Sequence, residues 1–243
     1  MSGNTSTGPG GGGIASGTMG TGPVGTLTLN HSRVTENTAP NGGGGGILNH
    51  AGTLTLNHSR VAGNSALAGG GGIASAPGNG GDVGGSVLTL NKSQVNNNTA
   101  NGGGGFAAGG GIANGGTATI NNSEVNNNTS PGGLGGGIIN HGTLTLTKSE
   151  VTENTAPDDG VGDRGGGGGI ANANFGPPNS GTLTLNHSQV TENSVSGAGG
   201  GILNGFAGEP GVTPGTVTLN DSEVDENTPD NCFPPGTIPG CTG

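Results

Sequence analysis

The sequence predicts an all-β fold: a single parallel β-helix (solenoid) of about seven coils with a short C-terminal cap. Three observations carry this expectation. A twelve-residue cassette, TLTLNHSRVTEN at 26–37, recurs without gaps at 53–64, 87–98, 117–128, 143–154, 182–193 and 216–227. Each cassette follows a glycine run that ends in Ile, at Ile14, Ile47, Ile73, Ile112, Ile138, Ile170 and Ile202. Within the cassette Leu27 and Leu29 alternate with Thr26 and Thr28, the two-residue period of a strand with one face buried.

The composition needs this order to make sense. Glycine supplies 61 of 243 residues and hydrophobic residues only 27%, values that on their own suit a disordered chain. Collagen is excluded because the glycines come in runs rather than at every third position. A membrane-spanning helix is excluded because no stretch approaches ~18 consecutive apolar residues. Five basic residues against 15 acidic ones give a formal charge of −10, which argues against a nucleic-acid partner.

The Ile-to-Ile steps are 33, 26, 39, 26, 32 and 32 residues, so the unit is 26 and the longer coils carry insertions. These insertions fall between the Ile and the Thr-Leu-Thr-Leu string, or between the closing Asn and the next glycines. A helix is ruled out by the missing 3.6-residue period and by glycine, which costs a helix ~1 kcal/mol per residue. Strands of successive coils therefore stack at ~4.8 Å, like residue over like. Leu29, Val34 and Ile14, each with six counterparts, are expected to form three aliphatic columns. The second coil offers four large aliphatics in Ile47, Leu54, Leu56 and Val61. Ser32 and Asn37 are unchanged in all seven copies. Both are placed at corners, where side chains satisfy turn backbone groups and stacked amides bond along the column. The glycine runs supply positive φ and close approach between coils.

The pairing of a GGGI-type string with a later V-x-x-N resembles the GGA-I and F-x-x-N repeats of chlamydial polymorphic outer-membrane proteins. It is closer still to the Gly-rich parallel β-helix repeat proteins of bacteria, and the similarity spans residues 10–227. Val stands where the chlamydial repeats carry Phe, in all seven copies. The resemblance implies a right-handed parallel β-helix on a secreted or surface protein, and leaves the activity open.

At the start, Ser2-Gly3-Asn4-Thr5 has the form of the end of a cassette, with Met1 where Val belongs, and no signal-peptide pattern is present. The expectation is a segment of a longer β-helix whose first coil frays or pairs loosely, end to end, with a second molecule. After the repeat domain (1–231), residues 232–243 hold the only cysteines, Cys232 and Cys241, around Pro234, Pro235, Gly236 and Pro239. They are expected to form a disulfide-closed cap, which implies an oxidising compartment and a secreted or cell-surface location.

Several groups are candidates for chemistry. Thirteen of fourteen outward cassette positions are Thr: Thr26, Thr28, Thr53, Thr55, Thr89, Thr117, Thr119, Thr143, Thr145, Thr182, Thr184, Thr216 and Thr218, with Val87 the exception. This array resembles the ice-binding face of solenoid antifreeze proteins, although Thr is also a good exposed strand residue. Glu153, Glu192 and Glu226 share one position in three successive coils, a weak candidate for Ca²⁺. No other cofactor is expected. His31 and His58 stack, but Lys92 follows them, which argues against a histidine metal ladder. Arg33, Arg60, Lys92 and Lys148 occupy outward positions, and Asp158, Asp159 and Asp163 beside Arg164 look like a polar loop. No carboxylate constellation suits polysaccharide cleavage, and with no Trp or Tyr there is no aromatic sugar platform. The function expected is thus a non-catalytic rod, a spacer or an adhesion scaffold for an unknown surface or polymer. An ice-binding surface is the alternative, and a polysaccharide-acting enzyme is third.

Overall fold

The computed structural model describes residues 1–17, 25–76, 85–102, 108–158, 166–172, 181–205 and 214–242. Among these residues there is no helix, and the chain winds as a parallel β-solenoid. Three sheets run its length, each taking one strand per coil. An eight-stranded sheet runs from Ile14–Ser16 to Cys232–Phe233. A seven-stranded sheet runs from Thr26–Asn30 to Thr216–Asn220 and carries the Thr face. A second seven-stranded sheet runs from Arg33–Thr35 to Glu223–Asp225. The register advances by one repeat per coil, as Thr26↔Thr53 and Val87↔Thr117 illustrate. The insertions noted in the sequence therefore never shift the register of these sheets.

The interior holds four aliphatic columns, one for each of the four large aliphatics of a coil, the three named above and a fourth. Beside those of Ile14, Leu29 and Val34, the Leu27 column (Leu54, Leu88, Ala118, Leu144, Leu183, Val217) also points inward. Alternation explains this, since Leu27 and Leu29 lie two apart on one strand and must share a face. In the middle coils these residues are wholly buried, whereas Ile14, Leu27, Leu29 and Leu219 at the two ends are half-buried. Each full burial contributes ~1.5–3 kcal/mol, so the central coils are the stable part of the stack. A second cluster of Leu134, Ile139, Ala171 and Leu203 lies apart from this core. Leu134 comes from a glycine-run segment, and the other three directly follow the core Ile residues.

The glycine runs divide into two jobs. Gly44, Gly135, Gly167 and Gly199 have φ near +70°, the left-handed region that a side chain resists. The third glycine of a run has no room for a side chain: a Cβ on Gly137 would lie 2.7 Å from Gly169 O and 2.9 Å from Asn154 Cγ.

At the two ends the chain continues the same plan. Ser2 and Thr5 bridge in parallel to Thr35 and Thr38, and Asn4 donates from Nδ2 to Asn37 Oδ1 at 2.8 Å. The opening residues thus do behave as the end of a cassette. At the C-terminus Cys232 takes an eighth place in the Ile column, paired with Ile202. The disulfide joins Cys232 to Cys241, and Ile238 is buried against the core cluster. The first residues of the cap are therefore also the last strand of a sheet.

Candidate functional site

The polar columns come first, because they set the surface that the rod offers. Asn37, Asn64, Asn98, Asn128, Asn154 and Asn193 each donate from Nδ2 to Oδ1 of the next Asn, at 2.9–3.0 Å, ending on Asn227. The same Oδ1 also accepts the backbone N–H of the donating Asn, as in Asn64 to Asn98 at 3.0 Å. The Ser column works alike: Ser59 N–H donates to Ser93 Oγ at 3.1 Å, while Ser59 Oγ donates to Asn57 O at 2.9 Å. Each of these donors has a partner, in the next coil or in its own, and for that reason these polar side chains tolerate burial.

Two further amide columns escaped the sequence reading. Asn114, Asn140 and Asn172 form a buried ladder that ends on Asn204, with Nδ2–Oδ1 distances of 2.8–3.0 Å. The signal was available, since an I-x-N string closes five of the seven Ile strands. Along the edge of the Thr face, Asn57, Asn91 and Asn121 donate toward the N-terminal coils, at 2.8–3.1 Å. Thr147 interrupts that column in the fifth coil.

The Thr face is regular from coil to coil. All thirteen threonines point outward, exposed or half-buried, and align strand over strand. Among the described residues their hydroxyls bond to no protein group, in contrast to Thr155, whose Oγ1 reaches Thr129. The array therefore offers water a regular grid of free hydroxyls.

Two corners flank each Val strand, and both are left-handed. The first holds His31, His58, Lys92, Asn122, Lys148, His187 and Asp221, with φ between 46° and 51°. The second holds Glu36, Gly63, Asn97, Asn127, Glu153, Glu192 and Glu226, with φ between 54° and 65°. Glu153, Glu192 and Glu226 thus sit on a turn that aims them at solvent. Asn127 Nδ2 donates to the Glu153 carboxylate at 2.6 Å. Among the described residues no three His, Cys, Asp or Glu side chains gather into a group that could hold a metal ion. Asp158 is described, whereas Asp159, Asp163 and Arg164 lie outside the described residues.

At the first corner of the N-terminal coils lies an open groove of about 480 Å³. The His31 and His58 rings stack across it, with centroids 5.0 Å apart and planes 12° from parallel. Arg33, Arg60 and Lys92 line it, with Gln94 and Glu124 further along. The sequence reading placed these cations outward but did not gather them into one site.

No family model matches this chain, and no curated protein or solved structure gives a significant match.

Proposed function

We propose that this protein is a non-catalytic, secreted or cell-surface β-helical rod, a spacer that can present its side for adhesion. The observation that supports this reading is the continuous Asn ladder. It binds every coil to the next from Asn4 to Asn231, beside the fully packed aliphatic columns. A rod of this kind holds its surface residues at fixed spacing over roughly 34 Å, taking the eight strands of the longest sheet at ~4.8 Å per step. The Cys232–Cys241 disulfide supports an oxidising location. No helix among the described residues is long and apolar enough to cross a membrane. Antibody detection on intact, protease-shaved producing cells tests the location, and attachment of protein-coated beads to extracellular polymers tests adhesion. A cytoplasmic protein with two free thiols, whose beads attach to nothing, would overturn the proposal.

A second reading, an ice- or ordered-water-binding surface, is favoured by the free hydroxyls of the thirteen aligned threonines. Thermal hysteresis in the parent protein, lost in Thr145→Tyr with unchanged melting, would support it. Absence of hysteresis in the parent removes it.

A further inference from the structure

We infer that the groove over the first four coils binds an acidic polysaccharide, a sugar chain bearing carboxylates or sulfates. The inference rests on the adhesion reading above and names its ligand class. Three of the five Lys and Arg residues line this one groove, in a chain of net charge −10 with 15 carboxylates to draw on. Arg33 and Arg60 are direct register partners in adjacent parallel strands. Like charges set opposite one another destabilise a sheet. Among the described residues neither Arg nor Lys92 has a carboxylate within 4.0 Å, and the one ion pair there is His187 with Asp221 at 3.8 Å. Arg60 is held instead by a neutral group: its Nε and Nη2 both donate to Asn96 Oδ1 at 3.1 Å. Glu124 is occupied by Gln94 Nε2 at 2.9 Å. The groove thus holds Arg60 in place and gathers three cations against the single carboxylate of Glu124.

Its other groups select the kind of anion. The lining consists of Ser, Asn, Gln, His and charged side chains, with no aliphatic residue. Nucleobases of single strands stack on aromatic side chains, and the two rings in the groove, His31 and His58, stack on one another instead. An acidic peptide offers carboxylates for the cations but no array of hydroxyls for the Ser, His and amide groups beside them. A sugar chain offers anions for the guanidinium groups, which match carboxylate and sulfate geometry. It also offers hydroxyls for the amides, imidazoles and Ser groups. The cations recur at each coil, a step of ~4.8 Å, so a polymer meets several of them in succession.

The test measures binding of the full chain to heparin fragments (sulfated) and polygalacturonate fragments (carboxylated), with dextran and poly-L-glutamate alongside. Binding to either acidic sugar should weaken roughly tenfold or more in Arg33→Gln/Arg60→Gln/Lys92→Gln. Lys148→Gln, a cation outside the groove, should change it less than about twofold. Should the triple variant melt early, Lys92→Asn, which matches Asn122 in the next coil, should still weaken binding about twofold to threefold. The inference is overturned if neither acidic sugar binds, if the groove variants bind as the parent does, or if Lys148→Gln loses as much. It is equally overturned if poly-L-glutamate or dextran binds as tightly as the acidic sugars. The bead and location experiments use none of these variants, so failure of the groove and failure of the adhesion scaffold are separate results.

Discussion

Asn98 donates twice to one atom of Asn128: its Nδ2 and its backbone N–H meet Oδ1 at 2.9 and 3.0 Å. Both residues are fully buried. Asn128→Ala leaves the Asn98 backbone N–H without an acceptor and its Nδ2 with Val61 O alone, and removes one donor each from Val95 O and Asn154 Oδ1. An orphaned buried group costs ~1–3 kcal/mol, so the expected loss of unfolding free energy is about 3 kcal/mol or more. Asn121→Ala, in the outer amide column, is expected to cost less than about 1 kcal/mol. Urea unfolding of both variants checks this, and equal midpoints would show that the buried ladder adds nothing to stability.

The inward and outward positions of one coil separate in a second pair of variants. Val125 has 0% exposure, three residues from Asn122 on its outward corner. Val125→Asp places a carboxylate among aliphatic columns and is expected to abolish cooperative melting. Asn122→Asp is expected to shift stability by no more than about 0.5 kcal/mol, because Asp also tolerates the left-handed region. Matching melting curves would refute the assignment of faces.

Glycines of the two kinds should respond in opposite ways. Gly63 has φ +65° in a column whose other members include Asn97 and Asn127, and a Cβ there meets nothing closer than Glu36 Cγ at 3.7 Å. Gly63→Asn is expected to be neutral or to stabilise by a few tenths of a kcal/mol, through a less flexible unfolded chain. Gly137→Ala drives a methyl group into Gly169 O and Asn154, and is expected to cost at least ~1–3 kcal/mol. Calorimetric melting of the two proteins decides the matter, and a Gly137→Ala chain as stable as the parent would contradict the close packing described.

Reduction of Cys232–Cys241 should act locally. The bond closes a short loop whose first residue pairs with Ile202, and such loops contribute ~2–3 kcal/mol. After reduction, hydrogen exchange is expected to quicken at residues 232–242 and in the coil beneath them, while Val125 and its neighbours keep their protection. Intact mass should rise by two hydrogen atoms, the two protons and two electrons that turn the disulfide into two thiols. Free thiols before any reductant is added would count against the cap.

The solenoid was legible because its evidence repeats. One period-2 string proves little, but seven gap-free copies fix the strands, their register and the Asn37 column together. The corners were harder to read. His31, Lys92 and Glu153 adopt positive φ, which a non-glycine residue resists by ~1–2 kcal/mol. Coil-to-coil bonding overrides that preference, and the only hints were Gly63 and the asparagines scattered through the same columns. The groove was missed for a related reason. Arg33 and Lys92 sit at different cassette positions, and the turn at His31 and its counterparts brings them to one depression. The satellite cluster around Leu134 and Ile139 depends on a segment outside the cassette, so the repeat carried no sign of it.

The ladders have a further consequence for how such a chain can change over generations. Each coil bonds only to its immediate neighbours, and the contacts made upward match those made downward. Excising the 26 residues from Ile112 to Gly137 would bring Asn98 against Asn154 and Ile73 against Ile138, with each donor facing an acceptor of the kind it lost. Duplicating the same stretch would do likewise. Length is therefore a quantity that recombination can alter in whole steps without designing a new interface. Proteins of this build can be lengthened or shortened to match the distance they must bridge.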